Sequence, residues 1–304
     1  MIQFKTILVP VDFSDASRKA VNYGLTLAIH FNAKLLLAHI VPYSSAATQT
    51  HDVEQQQCDS ARREIQNLVP ADYRTRIGVE TIVKIGNIDS DLLGIVRDES
   101  VDLIVMGTHG RRYWGRWFIG SVTERLLRKA PVPLLTMSHV DVECAIEPGP
   151  VELKRILYAT DLPDNSSNGL RYAIELARTL RAALTVLHAV DHANFIYWAG
   201  ATAGYLQEQL TRLVHERRRA LGELVAHEGS AGMEIETLVV EGKPFEKILS
   251  VAEERAIDII VLNLQGKGML ERAFIGSTAE RVVRLAHIPV LSVPVMGEKP
   301  HGPL

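Results

Sequence analysis

The chain repeats itself, and that repetition limits what it can fold into more than any single motif does. Ile7 to Asp12 (Ile-Leu-Val-Pro-Val-Asp) aligns with Ile156 to Asp161 (Ile-Leu-Tyr-Ala-Thr-Asp), 149 residues later, and His39 aligns with His188 at the same offset. Farther along, the offset is 156: Asp102 to Val105 falls on Asp258 to Val261, Phe118 to Ser121 on Phe274 to Ser277, and Pro133 on Pro289. The second copy therefore carries seven additional residues between His188 and Gly242. With 304 residues in all, each copy is the size of an ordinary domain, roughly 150 residues. Glu143 to Pro150, ending Glu147-Pro-Gly-Pro150, reads as the linker, because proline and glycine continue neither regular element. The expected domains are 1–145 and 151–296.

Within the first copy, β-rich runs alternate with helical patterns: Thr6 to Val9, Lys34 to Ile40, Val79 to Lys84, Asp102 to Met106 and Val132 to Met137. Such alternation implies βαβ units and a parallel sheet. Leu35 to Ile40 and Leu103 to Met106 are apolar on both faces, as strands covered by helices on both sides must be. Ala16, Ala20, Tyr23, Gly24, Leu27 and Ala28 recur at helical steps with Asp15 as the expected N-cap, and Ala173, Leu176, Ala177 and Leu180 repeat the stripe. Each copy reads as an α/β doubly wound sheet of five parallel strands. The polar stretch Ser44 to Asp59, with Gln55-Gln-Gln57, reads as a loop leading into the second helix. Its counterpart, Asn194 to Tyr205, is rich in aromatic and small residues and reads either as the buried start of a helix or as an exposed gripping patch.

Composition removes several classes of function. Lys and Arg number 33 against 36 Asp and Glu, and neither half has the basic excess of a duplex nucleic-acid binder. No apolar run approaches the roughly 18 residues of a membrane span, and no signal region precedes Thr6. Cys58 and Cys144 stand far apart with no paired His or Cys at metal-ligand spacing, which suits a reducing cytoplasm and argues against a disulfide or a thiol catalyst.

The chemistry concentrates after the fourth strand, where Gly107-Thr-His-Gly110 leads through a basic, aromatic loop to Gly120-Ser121-Val122 and a helical run. Glycines let a ligand approach the backbone, and a helix opening at Gly120-Ser121 presents free N–H groups and a positive dipole end to phosphate. Ser121 reads as N-cap or phosphate donor. Neither a Walker A sequence nor a G-x-G-x-x-G fingerprint is present.

The spacing Gly107-x2-Gly110-x9-Gly120-Ser121 resembles the nucleotide-binding signature of the universal stress protein family, and the resemblance covers nearly the whole chain as two tandem domains. It implies an adenine nucleotide α-hydrolase-like sheet of strand order 3-2-1-4-5 in each domain, the two packed as an internal pseudo-dimer, with room for a further homodimer. It also implies ATP, with Mg2+ as a companion ion, between the first and fourth strands. Carried over by position, Asp12 meets the ribose or adenine, Pro10 and Val41 line the base, Met106 and Gly107 support the nucleoside, and Gly110, Gly120, Ser121 and Val122 cradle the phosphates. Arg116, matched by Arg272, adds charge to the loop.

The second copy keeps Asp161, Gly266, Gly276, Ser277 and Thr278 but has Asn263 at the first glycine position and Ala159 in place of Pro10. A side chain at Asn263 stands where backbone is expected to meet ligand, so the first site is the better match. His39 and His188 end equivalent strands and read as satisfied structural residues, because a strand supplies no sure third metal ligand. His109 has no identifiable partner, and no residue is assigned a catalytic role. The expected function is a cytoplasmic, nucleotide-dependent regulator of the stress response acting on an unidentified protein partner. The alternatives are a slow ATPase or phosphotransfer enzyme, and a scaffold for another ligand or partner.

Overall fold

The alternation read from the sequence is the alternation observed. The computed structural model describes residues 2–43, 51–108, 119–137, 147–162, 167–191, 203–228, 232–264 and 276–294. The first unit, Gln3–Glu152, holds β1 (Thr6–Pro10), α1 (Asp15–Phe31), β2 (Lys34–Pro42), α2 (His51–Gln66), α3 (Ala71–Arg74), β3 (Val79–Gly86), α4 (Ile88–Asp98), β4 (Leu103–Gly107), α5 (Ser121–Lys129) and β5 (Leu134–Met137). The second, from Leu153 onward, holds β6 (Arg155–Ala159), α6 (Ser167–Leu180), β7 (Ala183–Val190), α7 (Ala203–Glu228), β8 (Ile235–Glu241), α8 (Pro244–Glu254), β9 (Ile259–Leu264), α9 (Ser277–Leu285) and β10 (Val290–Pro294).

Within the first unit the strands run β3-β2-β1-β4-β5, and within the second β8-β7-β6-β9-β10. Every pairing inside a unit is parallel. The expected 3-2-1-4-5 order therefore holds in both copies. Ile7, Leu8, Val9, Leu35, Leu36, Leu103, Ile104 and Val105 are buried in the first sheet, so their strands are covered on both faces. Among the described residues no helix is long and apolar enough to cross a membrane.

The local signals that start α1 differ by one residue from the expectation. Ser14, not Asp15, is the N-cap: its side chain accepts a hydrogen bond from the Ser17 N–H, and Asp15 opens the helix, where its charge favours the positive dipole end. The helix then seats closely on the sheet, since a Cβ at Gly24 would come within 2.6 Å of Val9 Cγ2.

The stretch expected as a loop from Ser44 to Asp59 is helical from His51 onward. Its three consecutive glutamines mask a narrow apolar stripe: Cys58, Ala61 and Ile65 recur at three- and four-residue steps and are all buried. Cys58 and Ala61 join Val41 and Val83 in one cluster, so packing overrides the polar composition. Most of Asn194 to Tyr205 lies outside the described residues, with α7 beginning at Ala203.

The end of the linker is held by α1 rather than left loose. Asn22 Nδ2 donates to the Glu147 carbonyl at 2.7 Å, its Oδ1 accepts from the Gly149 N–H at 3.1 Å, and Thr26 Oγ1 accepts from the Val151 N–H at 2.7 Å. Asn22 and Thr26 are buried, and these bonds satisfy them. In the second copy Arg171 and Glu175 occupy the equivalent positions, and among the described residues they pair with Glu228 and Arg178 instead.

Candidate functional site

In a parallel sheet ordered 3-2-1-4-5 the connections leave in opposite directions from the first and fourth strands, and a crevice opens at their carboxyl ends. In the first unit Asp12 stands just past β1. Its Oδ1 accepts from the Ser14 N–H at 3.0 Å and from Ser14 Oγ–H at 2.5 Å. Phe13 between them has φ +64°, and Leu162, its equivalent after Asp161, has φ +67°. Bulky residues rarely adopt this region, and its recurrence after both aspartates marks a strained, position-specific turn.

The two ends of the glycine loop meet above β4. The Gly120 N–H donates to the Thr108 carbonyl at 2.8 Å, and buried Thr123 donates through Oγ1 to the Gly107 carbonyl at 3.1 Å. Helix α5 starts here, but its N-cap is Gly120, with no side-chain cap bond, and Ser121 is the exposed first helical residue rather than the cap. Without a side-chain cap, the first-turn N–H groups are left to solvent or a ligand. Pro10, Asp12, Met106, Gly107, Gly120, Ser121 and Val122 thus belong to one strand-end region, whereas Gly110, Arg116 and His109 lie outside the described residues. Val41, expected to line a base, instead packs into the cluster with Cys58, Ala61 and Val83.

The second unit shows the same region as a cleft of about 140 Å³. Asp161, Asn263, Gly276, Ser277 and Thr278 all border it, and Gly266 lies outside the described residues. An apolar wall comes from Ala159, Leu187, Ala189 and Leu262 on the strands, with Pro244 and Ile248 from α8. The α8 pair was not anticipated; its signal is the proline-led helix that starts just past the third strand. Helix α9 starts at Gly276, φ +77°, again with no side-chain cap, so this position needs glycine.

A model of the universal stress protein family matches residues 3–137 and, a second time, residues 152–294. The chain belongs to the universal stress protein family. A universal stress protein of Methanocaldococcus jannaschii is 33% identical over 161 residues, covering 53% of this chain and 93% of the relative. One from Mycobacterium bovis is 24% identical over 306 residues, covering 94% of this chain and 95% of its own length, so that match spans both copies. The crystal structure of a universal stress protein from Archaeoglobus fulgidus shares the fold with a TM-score of 0.70 at 20% identity, covering 98% of each chain.

Each universal stress protein domain fixes its aspartate loop with a histidine. His39 Nδ1 donates to the Val11 carbonyl at 2.6 Å, and His188 Nδ1 to the Thr160 carbonyl at 2.9 Å, which makes Nδ1 the protonated nitrogen in each ring. Burial holds His188 below its ordinary value of 6.5; the Thr160 bond opposes this and the Arg217 charge adds to it. The folded domain thus keeps this ring neutral where the unfolded chain protonates it. Its contribution is intact above about pH 6.5 and is lost as pH falls from there through the folded value. Urea midpoints measured at about pH 7.5 and 5.5 should separate more for the wild type than for His188→Asn, which keeps the donor without the titration. Equal separations would remove His188 as a source of acid sensitivity.

The side chain of Asn263 does not stand in the cleft. In register, Tyr158 pairs with Val261 and Ala159 with Leu262, so Asn263 shares the face of Tyr158, and the cleft wall of Ala159, Leu187 and Leu262 is the other face. Asn263 Nδ2 donates to Tyr158 Oη at 3.0 Å. Burial pushes the Tyr158 hydroxyl far above its ordinary range, so it stays a neutral hydrogen-bonding group.

Proposed function

We propose that this tandem universal stress protein binds adenine nucleotides at the carboxyl ends of its strands and acts as a nucleotide-dependent regulator. The observation that carries the reading is the second-unit cleft, in which an apolar wall meets an uncapped helix N-terminus. That combination suits a flat base at one end and phosphate at the other. The first unit repeats the uncapped helix at Gly120 and has the complete glycine spacing. Asp12 and Asp161, at the ends of the first strands, are placed for the ribose or adenine, and an accompanying Mg2+ would be held mainly by the phosphates themselves. In this reading occupancy rather than turnover is the signal, read by a protein partner in the cytoplasm.

Mass spectrometry of nucleotide released from the purified protein, followed by calorimetric titration with ATP, tests this. Bound ATP that stays intact for hours is expected. No binding at millimolar ATP would overturn the reading, as would rapid hydrolysis abolished by Gly120→Ala.

A further inference from the structure

The second copy departs from the first at four positions, three of which meet one another. Where the first copy has Val9, Ala20, Gly24 and Gly107, the second has Tyr158, Gly169, Ala173 and Asn263. In the first copy the glycine that admits close approach is Gly24, facing Val9. In the second the glycine sits one turn earlier on the helix. A Cβ at Gly169 would fall 2.3 Å from Asn263 Oδ1 and 2.9 Å from Tyr158 Cε2. Contacts this short cannot be accommodated without moving a side chain, so Gly169 is the notch that receives the Asn263 amide. Tyr158, fully buried, holds that amide from the other side.

We propose that Tyr158, Gly169 and Asn263 form a lock that turns the asparagine side chain away from the cleft. Main chain then faces the ligand, as glycine allows in the first copy, and the second cleft is a working adenine-nucleotide site. The departure from the glycine spacing is a compensated exchange rather than a loss. Gly169 and Tyr158 act through Asn263 and are positioning residues. This rests on the nucleotide reading above and extends it to two sites per chain.

Calorimetry with ATP on the full chain tests it, with Ser121→Asp used to silence the first site. Wild type is expected to bind two equivalents and Ser121→Asp one. Adding Gly169→Ala to Ser121→Asp should drive the asparagine amide toward the cleft and weaken the remaining site about tenfold or more. Exchanging the whole set, with Tyr158→Val, Gly169→Ala, Ala173→Gly and Asn263→Gly, should restore affinity to within about threefold. That recovery separates a positioning role from a folding defect, because the four-residue variant contains the same alanine.

Wild type binding one equivalent and Ser121→Asp none would overturn the lock while leaving the nucleotide reading intact. Unchanged second-site affinity in the Gly169→Ala variant, or no recovery in the exchanged set, would also overturn it. No binding by wild type would overturn both.

Discussion

Ser121→Asp is expected to weaken ATP binding in the first unit by about a hundredfold, roughly 2.7 kcal/mol, while leaving the fold as stable as before or more so. The two effects have one source. Ser121 is the exposed first residue of α5, and Gly120 ahead of it supplies no side-chain cap. A carboxylate there satisfies first-turn N–H groups and the dipole end, worth about 0.3–1 kcal/mol to the helix. The same carboxylate occupies the place of a phosphate and repels it, by about 4 kcal/mol for unit charges 4 Å apart near a protein surface. Thermal unfolding and calorimetry on one preparation read both signs. A variant that binds normally would show that the α5 N-terminus does not hold phosphate. One that unfolds early would show that Ser121 has a packing role.

Tyr158→Ala should destabilise the second unit by roughly 3–5 kcal/mol, the usual range for deleting a buried aromatic. Tyr158 has no exposed surface, and its hydroxyl accepts the Asn263 amide. Tyr158→Phe keeps the ring and removes the hydroxyl that holds the Asn263 amide, so a smaller cost of about 0.5–1.5 kcal/mol is expected for the lost hydrogen bond. With two units in the chain, a single unfolding transition is not assured. Hydrogen exchange, followed separately in β6 and β9 and in β1 and β4, assigns the loss to its unit. Equal losses in both units, or a cost below about 1 kcal/mol for Tyr158→Ala, would contradict the packing described.

The sheet was legible because its signal is local and occurs twice. Strand starts at Thr6, Lys34 and Val79 coincide with the β-rich runs, and the repeat carried the same order to the second half. The start of helix α2 was not legible, since the buried Cys58, Ala61 and Ile65 stand among charges and amides, and the facing Val41 and Val83 reveal which side is apolar. The cap of α1 slipped by one residue because Ser14 and Asp15 are both good cap residues, and the choice rests on Asp12 engaging Ser14. At the strand ends, the positions of Asp12, Asp161, Gly120 and Gly276 and the helices that follow those two glycines were legible through the repeat and the family resemblance. The cleft wall from Pro244 and Ile248 and the direction of Asn263 were not. The first depends on how a helix packs over the strand ends, the second on which face of its strand Asn263 takes and on Gly169 in a helix distant in sequence.

The clasp on α1 decides where the chain can be divided. A first half ending before Glu147 would take from Asn22 and Thr26 their bonds to Glu147, Gly149 and Val151 and uncover the helix face they seal, leaving Thr26 its bond to the Asn22 carbonyl, whereas one ending after Val151 carries its own seal. A second half beginning at Glu152 loses no such bonds at the matching positions, where Arg171 pairs with Glu228 and Glu175 with Arg178 inside the same unit. Dissection of the two copies is therefore asymmetric: the junction belongs to the front half, and a protease able to cut at Pro148 must first peel that segment off its helix.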